Sequence, residues 1–175
     1  MRSLLIKYKW MLCMLALLPF ISGCNEADDV QKIFTGKTWK LTYITKKNEH
    51  GWYKFSDVTE SIYQSYDPQN GTRSFKIEFT GSTDDDLISG DFTGSGSISI
   101  NGTWRANGTN NDFSTTVKKS SLTDSKDTLG KKIIEGITKA TSYGGDENNL
   151  YLYFDYKDSA QHDTETLCLV FAPAR

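Results

Sequence analysis

The residues able to do chemistry in this 175-residue chain are few. There are three cysteines (Cys13, Cys24, Cys168) and two histidines (His50, His162), with an acidic run at Asp84-Asp85-Asp86 and an excess of aromatic side chains. His162-Asp163 beside Ser159 has the residue types of nucleophilic hydrolysis, but such sites are defined by geometry, and this cluster falls in the polar stretch Lys157 to Glu165. A solvated loop is the simpler reading. The acidic run lacks the alternating ligands and distal Glu of a calcium loop, and no cysteine or histidine pair offers a zinc site. No catalytic set, metal site or cofactor motif is legible, so a non-enzyme is expected, with a hydrolase as the remote alternative. Trp52, Tyr53, Tyr151 and Tyr153 are the candidate ligand-facing aromatics, able to stack on sugar rings or apolar ligands if exposed. Cys168 lies in Leu167-Cys168-Leu169-Val170-Phe171, the context of a buried strand thiol and not of a nucleophile.

Cys24 is different. Arg2, Lys7 and Lys9 are followed by an apolar run, Trp10 to Ile21, that is shorter than the ~20 residues of a membrane span, and then by Ile21-Ser22-Gly23-Cys24. Small residues directly before a cysteine resemble the bacterial lipobox; the alternative is a plain secretory signal. The resemblance implies cleavage before Cys24, diacylglycerol on its thiol and acylation of its new amine. At about 0.8 kcal/mol per buried methylene, three acyl chains exceed what stable anchoring requires. Asn25 after the cysteine is similar to lipoproteins sent to an outer membrane. Glu26, Asp28 and Asp29 resemble the export tag of surface lipoproteins in Bacteroidetes-type bacteria, although a solvated tether has the same composition. Loss of residues 1–23 leaves 152 residues and moves the formal charge from −2 to −5, which argues against nucleic acid. It also leaves Cys168 as the one unmodified thiol, so no disulfide within a single chain is available. The expected organisation is a signal peptide at 1–23, a lipidated tether at 24–32 and one β-rich domain at 33–175.

The elements that would position these residues are mostly strands. Val30, Ile33 and Phe34 share one face of a short helical lead-in that Gly36 ends. Trp39, Leu41 and Tyr43 alternate with Lys40 and Thr42, which predicts a first strand over 37–45 with those three residues on its buried face. Trp52, Tyr53 and Phe55 can pair back on it, and a short helix fits around 58–66. Alternation resumes at Phe75, Ile77 and Phe79, and short strands follow near 89–92, 96–100, 102–107 and 113–118. Asn101-Gly102 and Asn107-Gly108 are good type I′ turn dipeptides and are expected to be hairpin turns. Leu129, Ile133, Ile134 and Ile137 make the apolar stripe of an amphipathic helix over 127–140, with Lys131, Lys132, Glu135 and Lys139 toward water. Gly144-Gly145 then turns the chain into two terminal strands, 150–156 and 166–171. Asp158-Ser159-Ala160 and Asp127-Thr128-Leu129 resemble Bacteroidetes O-glycosylation sites, making Ser159 and Thr128 candidate acceptors.

In order, Gly36-Lys37-Thr38-Trp39-Lys40-Leu41, the glycine-rich middle with Gly102-Thr103-Trp104, the helix before Tyr143 and the paired terminal strands resemble the META domain of HslJ-like bacterial envelope proteins, in a divergent Bacteroidetes branch. The resemblance implies a mainly β (α+β) fold: a single antiparallel curved sheet or partly open barrel, with one amphipathic helix inserted before the last two strands. A lipocalin-like calycin, whose first strand begins Gly-x-Trp where this chain has Gly36-Lys37-Thr38-Trp39 with one residue more, is the rival. The expected function is a non-enzymatic outer-membrane or cell-surface lipoprotein, monomeric and lipid-anchored, serving as a binding or structural module. Its partners would be an envelope protein, a glycan or a small apolar ligand.

Overall fold

A computed structural model describes residues 26–158 and 163–174. Three helices, α1 (Glu26–Phe34), α2 (Glu60–Ser65) and α3 (Thr128–Lys139), accompany eight strands. These are β1 (Thr38–Lys46), β2 (Phe75–Asp84), β3 (Leu87–Gly96), β4 (Ile98–Asn107), β5 (Phe113–Leu122), β6 (Ser142–Gly145), β7 (Leu150–Tyr156) and β8 (Glu165–Pro173). They form one antiparallel sheet in the order β5-β4-β3-β2-β1-β8-β7-β6. The sheet curls until its two edges meet at one corner only: Phe113 N–H donates to Thr141 O (3.0 Å) and Tyr143 N–H to Asn111 O (3.0 Å). Along the rest of the seam α3 packs between β5 and β7, and the Thr115 hydroxyl donates to Ile137 O (2.8 Å).

The mainly β class and the open curved sheet agree with the sequence, but several particulars differ. Helix α3 precedes three strands rather than two, because Ser142–Gly145 pairs with β7 instead of merely turning. Helix α1 begins at Glu26, inside the stretch assigned to a tether. Trp52 to Phe55 form no strand, although Tyr53 N–H still donates to Ile44 O (2.6 Å). Asn101-Gly102 is not a turn but the middle of β4, where the register against β5 slips by one residue. A Cβ on Gly102 would stand 2.1 Å from Thr116 O and 2.8 Å from the Phe92 ring, so glycine permits close approach of backbones there. The turn lies instead at Gly96-Ser97, and Gly96 adopts φ +114°.

The concave side is filled by side chains. Phe34 is fully buried at the C-terminal end of α1, among Trp104 (ring centroids 4.6 Å apart), Tyr143 (5.1 Å), Phe79 (5.2 Å) and Phe113 (5.4 Å). Those four rings come from β4, β6, β2 and β5, so one phenylalanine joins both sheet edges. Trp39, Phe75, Phe92, Phe154 and Phe171 continue the core away from it. At the other end, α3 is capped by Asp127, whose Oδ1 accepts from Gly130 N–H (2.8 Å) and whose Oδ2 accepts from the Tyr66 hydroxyl (2.7 Å). Arg73 lies 3.6 Å from the same carboxylate and 2.7 Å from Asp124, which supplies the charge partner this buried Asp requires.

Truncating Phe34 leaves a cavity where both edges converge, so Phe34→Ala is expected to lower the unfolding free energy by about 3–5 kcal/mol in urea titration. Phe34→Leu should recover part of that loss.

Candidate functional site

The β1–β8–β7 part of the sheet carries a groove on its outer face, and a bulge in β1 makes it. Leu41 pairs with Phe171, but Tyr43 pairs with Val170, so Thr42 is the extra residue and the inward–outward alternation reverses there. Ile44 takes the core position and Tyr43 turns outward, contrary to the buried face expected for it. The register then aligns two rows across three strands. One runs Tyr43–Val170–Tyr151, the other Thr45–Cys168–Tyr153. Val170 (9% exposed), Cys168 (3%) and Thr45 (4%) form the floor. Tyr43 on β1 and Tyr151 and Tyr153 on β7 form half-buried walls, two strand spacings or about 10 Å apart.

The loop after β1 closes one end. Asn48, with φ 70°, turns the chain so that Glu49 and His50 also line the groove, whose volume is about 410 Å³. His50 Nδ1 is 3.4 Å from the Tyr43 hydroxyl, and the Lys47 ammonium lies 5.4 Å from the Tyr153 ring centre. Lys46 pairs with Glu165 at 2.6 Å at the same end. This pairing raises the lysine's pKa and lowers the carboxyl's, so both stay charged. Burial raises the pKa of Tyr151, helped by neighbouring Tyr43, and of Tyr153, helped by Cys168. The walls are therefore neutral rings with hydroxyl tips, and the loop contributes the polar and charged groups. Such a surface can stack on a ring and hydrogen-bond its substituents. Among the described residues, no group of three or more His, Cys, Asp or Glu could hold a metal ion.

Of the four candidate aromatics, the structure brings Tyr151 and Tyr153 together here. Tyr53 is not ligand-facing: it is 8% exposed and packs edge-on against Phe55 (4.8 Å) and Tyr156 (6.1 Å). Trp52 is half-buried elsewhere, against Tyr63 and Tyr66. Lys132, expected to face water, instead lies over the Phe55 and Tyr156 rings, bonded to the Tyr156 hydroxyl (2.9 Å) and paired with Asp57 (3.2 Å). The Thr128 hydroxyl oxygen is buried at the start of α3, where a glycosyl group could not reach it in the folded chain. Cys24, Ser159 and His162 lie outside the described residues. The wall residue missed from sequence is Tyr43. Its signal was present as the run Leu41-Thr42-Tyr43-Ile44, which keeps strict alternation only if one residue is skipped.

Fold and groove together define a mainly β, antiparallel domain whose aromatic interior is filled and whose outer sheet face carries the groove. The chain belongs to the DUF4847 family, a domain of unknown function, whose family model matches residues 25–173. It is also similar to the crystal structure of a DUF4847 family protein from Bacteroides vulgatus ATCC 8482. Identity is 22%, coverage is 80% of this chain and 96% of that one, and the TM-score is 0.46. No curated protein matches.

Several buried acids of the domain, Cys168 in the groove floor among them, hold their protons strongly. Burial pushes Cys168, Tyr63 and Tyr53 up to about 12, with Glu165 adding to the effect on Tyr53. Tyr66 is raised further by burial and by Asp127. In the unfolded chain these groups ionise near pH 8.5 to 10. Above that range the unfolded state binds fewer protons than the folded one. Stability should therefore be fully present below about pH 8.5 and fall as pH rises toward 12. Melting temperatures measured across pH 8 to 11 should decline, and a flat profile would contradict this assignment.

Proposed function

We propose that this chain is a non-enzymatic lipoprotein of the bacterial outer membrane, anchored through Cys24, that binds a glycan in the groove between Tyr43 and Tyr151/Tyr153. The observation supporting the ligand class is the arrangement of that groove. Aromatic walls about 10 Å apart leave room for one sugar ring between them, with Val170 and Cys168 beneath and hydrogen-bonding groups from Thr45, Asn48, Glu49 and His50 at the end. A purely apolar ligand would make no use of those polar groups, whereas sugar hydroxyls would bond them. Kinship with META-domain envelope proteins, resting on the motif order described above, belongs to the same proposal. A lipocalin-like carrier is favoured less, because Phe34, Trp39, Phe75, Phe92 and Phe154 occupy the space inside the sheet where its ligand would lie.

Screening the protein against an array of pyranose oligosaccharides tests the reading. Tyr153→Ala and Tyr43→Ala should each weaken the bound glycan about tenfold or more, as stacked anchors do, while Trp52→Ala leaves binding unchanged. An array without a binder, or one whose binder ignores both tyrosines, would refute the glycan site. Anchoring is read separately: Cys24→Ala should move the protein out of the membrane fraction.

A further inference from the structure

We infer that the end of the curled sheet next to α1 rests on the lipid surface, with the polar loop of the groove held at the opposite, distal end. The inference rests on the lipid anchor at Cys24 proposed above. Asn25 alone separates Cys24 from Glu26, the first residue of α1, a span of at most about 7 Å over two steps of the chain. Four helical residues, about 6 Å, then lead to Val30, which is buried in the core. Even with the first turn of α1 unwound, six extended residues cover only about 20 Å. Val30 lines a surface hollow with Gly108, Asn111 and Gly144, and the Gln31 side chain accepts from the Thr83 hydroxyl (3.0 Å). The anchor therefore leaves the domain at the rim made by the turns after β2, β4 and β6. The nine residues of β1 span about 30 Å from this end to Lys46, beyond which lie Asn48 and His50.

The chemistry of the rim fits contact with headgroups. It carries Leu87, which at 39% exposure is the exposed large apolar side chain among the described residues. Asp84, Asp85 and Asp86 stand immediately before Leu87 in the β2–β3 turn, and carboxylates oppose entry into hydrocarbon. One leucine among acids suits the interfacial layer of a zwitterionic surface.

The test uses the full-length lipidated protein in phosphatidylcholine vesicles, with a fluorophore at Thr109→Cys on the rim or at Ser125→Cys in the distal turn before α3. Both positions are exposed, and Cys168 is buried, so labelling is selective. A quencher attached to lipid headgroups should quench the label at 109 several-fold more strongly than that at 125. Equal quenching, or stronger quenching at 125, would overturn the orientation. The mass of the N-terminal peptide separates the two ideas: an acylated Cys24 with equal quenching sinks the orientation alone, whereas an unmodified Cys24 sinks the anchor and the orientation with it.

Discussion

A sheet that curls but does not close has two edges to satisfy, and here the burial of Phe34 brings them together. Its ring lies flat over Phe113 on one edge strand, at 5° between planes, and meets Tyr143 on the other edge at 69°. Trp104 and Phe79 complete the shell, and the Trp104 indole donates to Thr80 O (3.0 Å), tying that ring to the backbone of β2. Unpaired edges invite association with other chains. Two backbone hydrogen bonds at the corner and α3 along the seam leave little of either edge free. Because Phe34 ends the first helix, the same contact couples the closure of the sheet to the segment that follows Cys24.

Helix α3 shows how local preference yields to this closure. Gly130 and Gly136 each weaken the helix by up to about 1 kcal/mol relative to alanine. Both occupy points of closest approach. A Cβ on Gly136 would come within 2.9 Å of the Phe154 ring and 3.0 Å of Leu169, and one on Gly130 would meet Asp127 Oδ2 at 2.8 Å. The helix can thus lie deep in the seam, and its N-terminus is held by a carboxylate also bound to Tyr66 and near Arg73. Packing and capping offset what the glycines cost.

The legible parts of the sequence were those governed by an unbroken period. Helix α3 was expected over 127–140 and occupies Thr128–Lys139, and β7 falls at 150–156 as its alternation indicates. The misread parts were those where one residue is inserted or a polar residue meets the core. The bulge at Thr42 reverses the alternation of β1, and the bulge beside Asn101-Gly102 turns an apparent hairpin into one strand. The first leaves only a skipped beat in Leu41-Thr42-Tyr43-Ile44, and the second has the composition of a turn. Lys132 reads as solvent-facing by its place on α3, yet its ammonium lies over the Phe55 and Tyr156 rings, and Phe55 comes from a distant part of the chain. Tyr151 and Tyr153 were identified as aromatic residues on the second face of a central strand; their partner Tyr43 required the three-dimensional register.

The groove and the core are two faces of the same three strands. Along β8, Leu167, Leu169 and Phe171 are fully buried inward while Cys168 and Val170 floor the groove outward. Along β7, Leu150, Leu152 and Phe154 pack inward while Tyr151 and Tyr153 stand outward. A ligand in the proposed site would therefore meet walls whose backbone is already held by the packed side beneath, and binding would not need to order them. Preorganisation of this kind spares a site the entropy that a loop-built surface loses on binding. What remains adjustable is the loop at Asn48–His50, which lies beyond the last residue of β1 and lacks a buried side of its own. Under the glycan proposal, selectivity within the ligand class would accordingly arise from that loop, while the tyrosine rows would set the class itself.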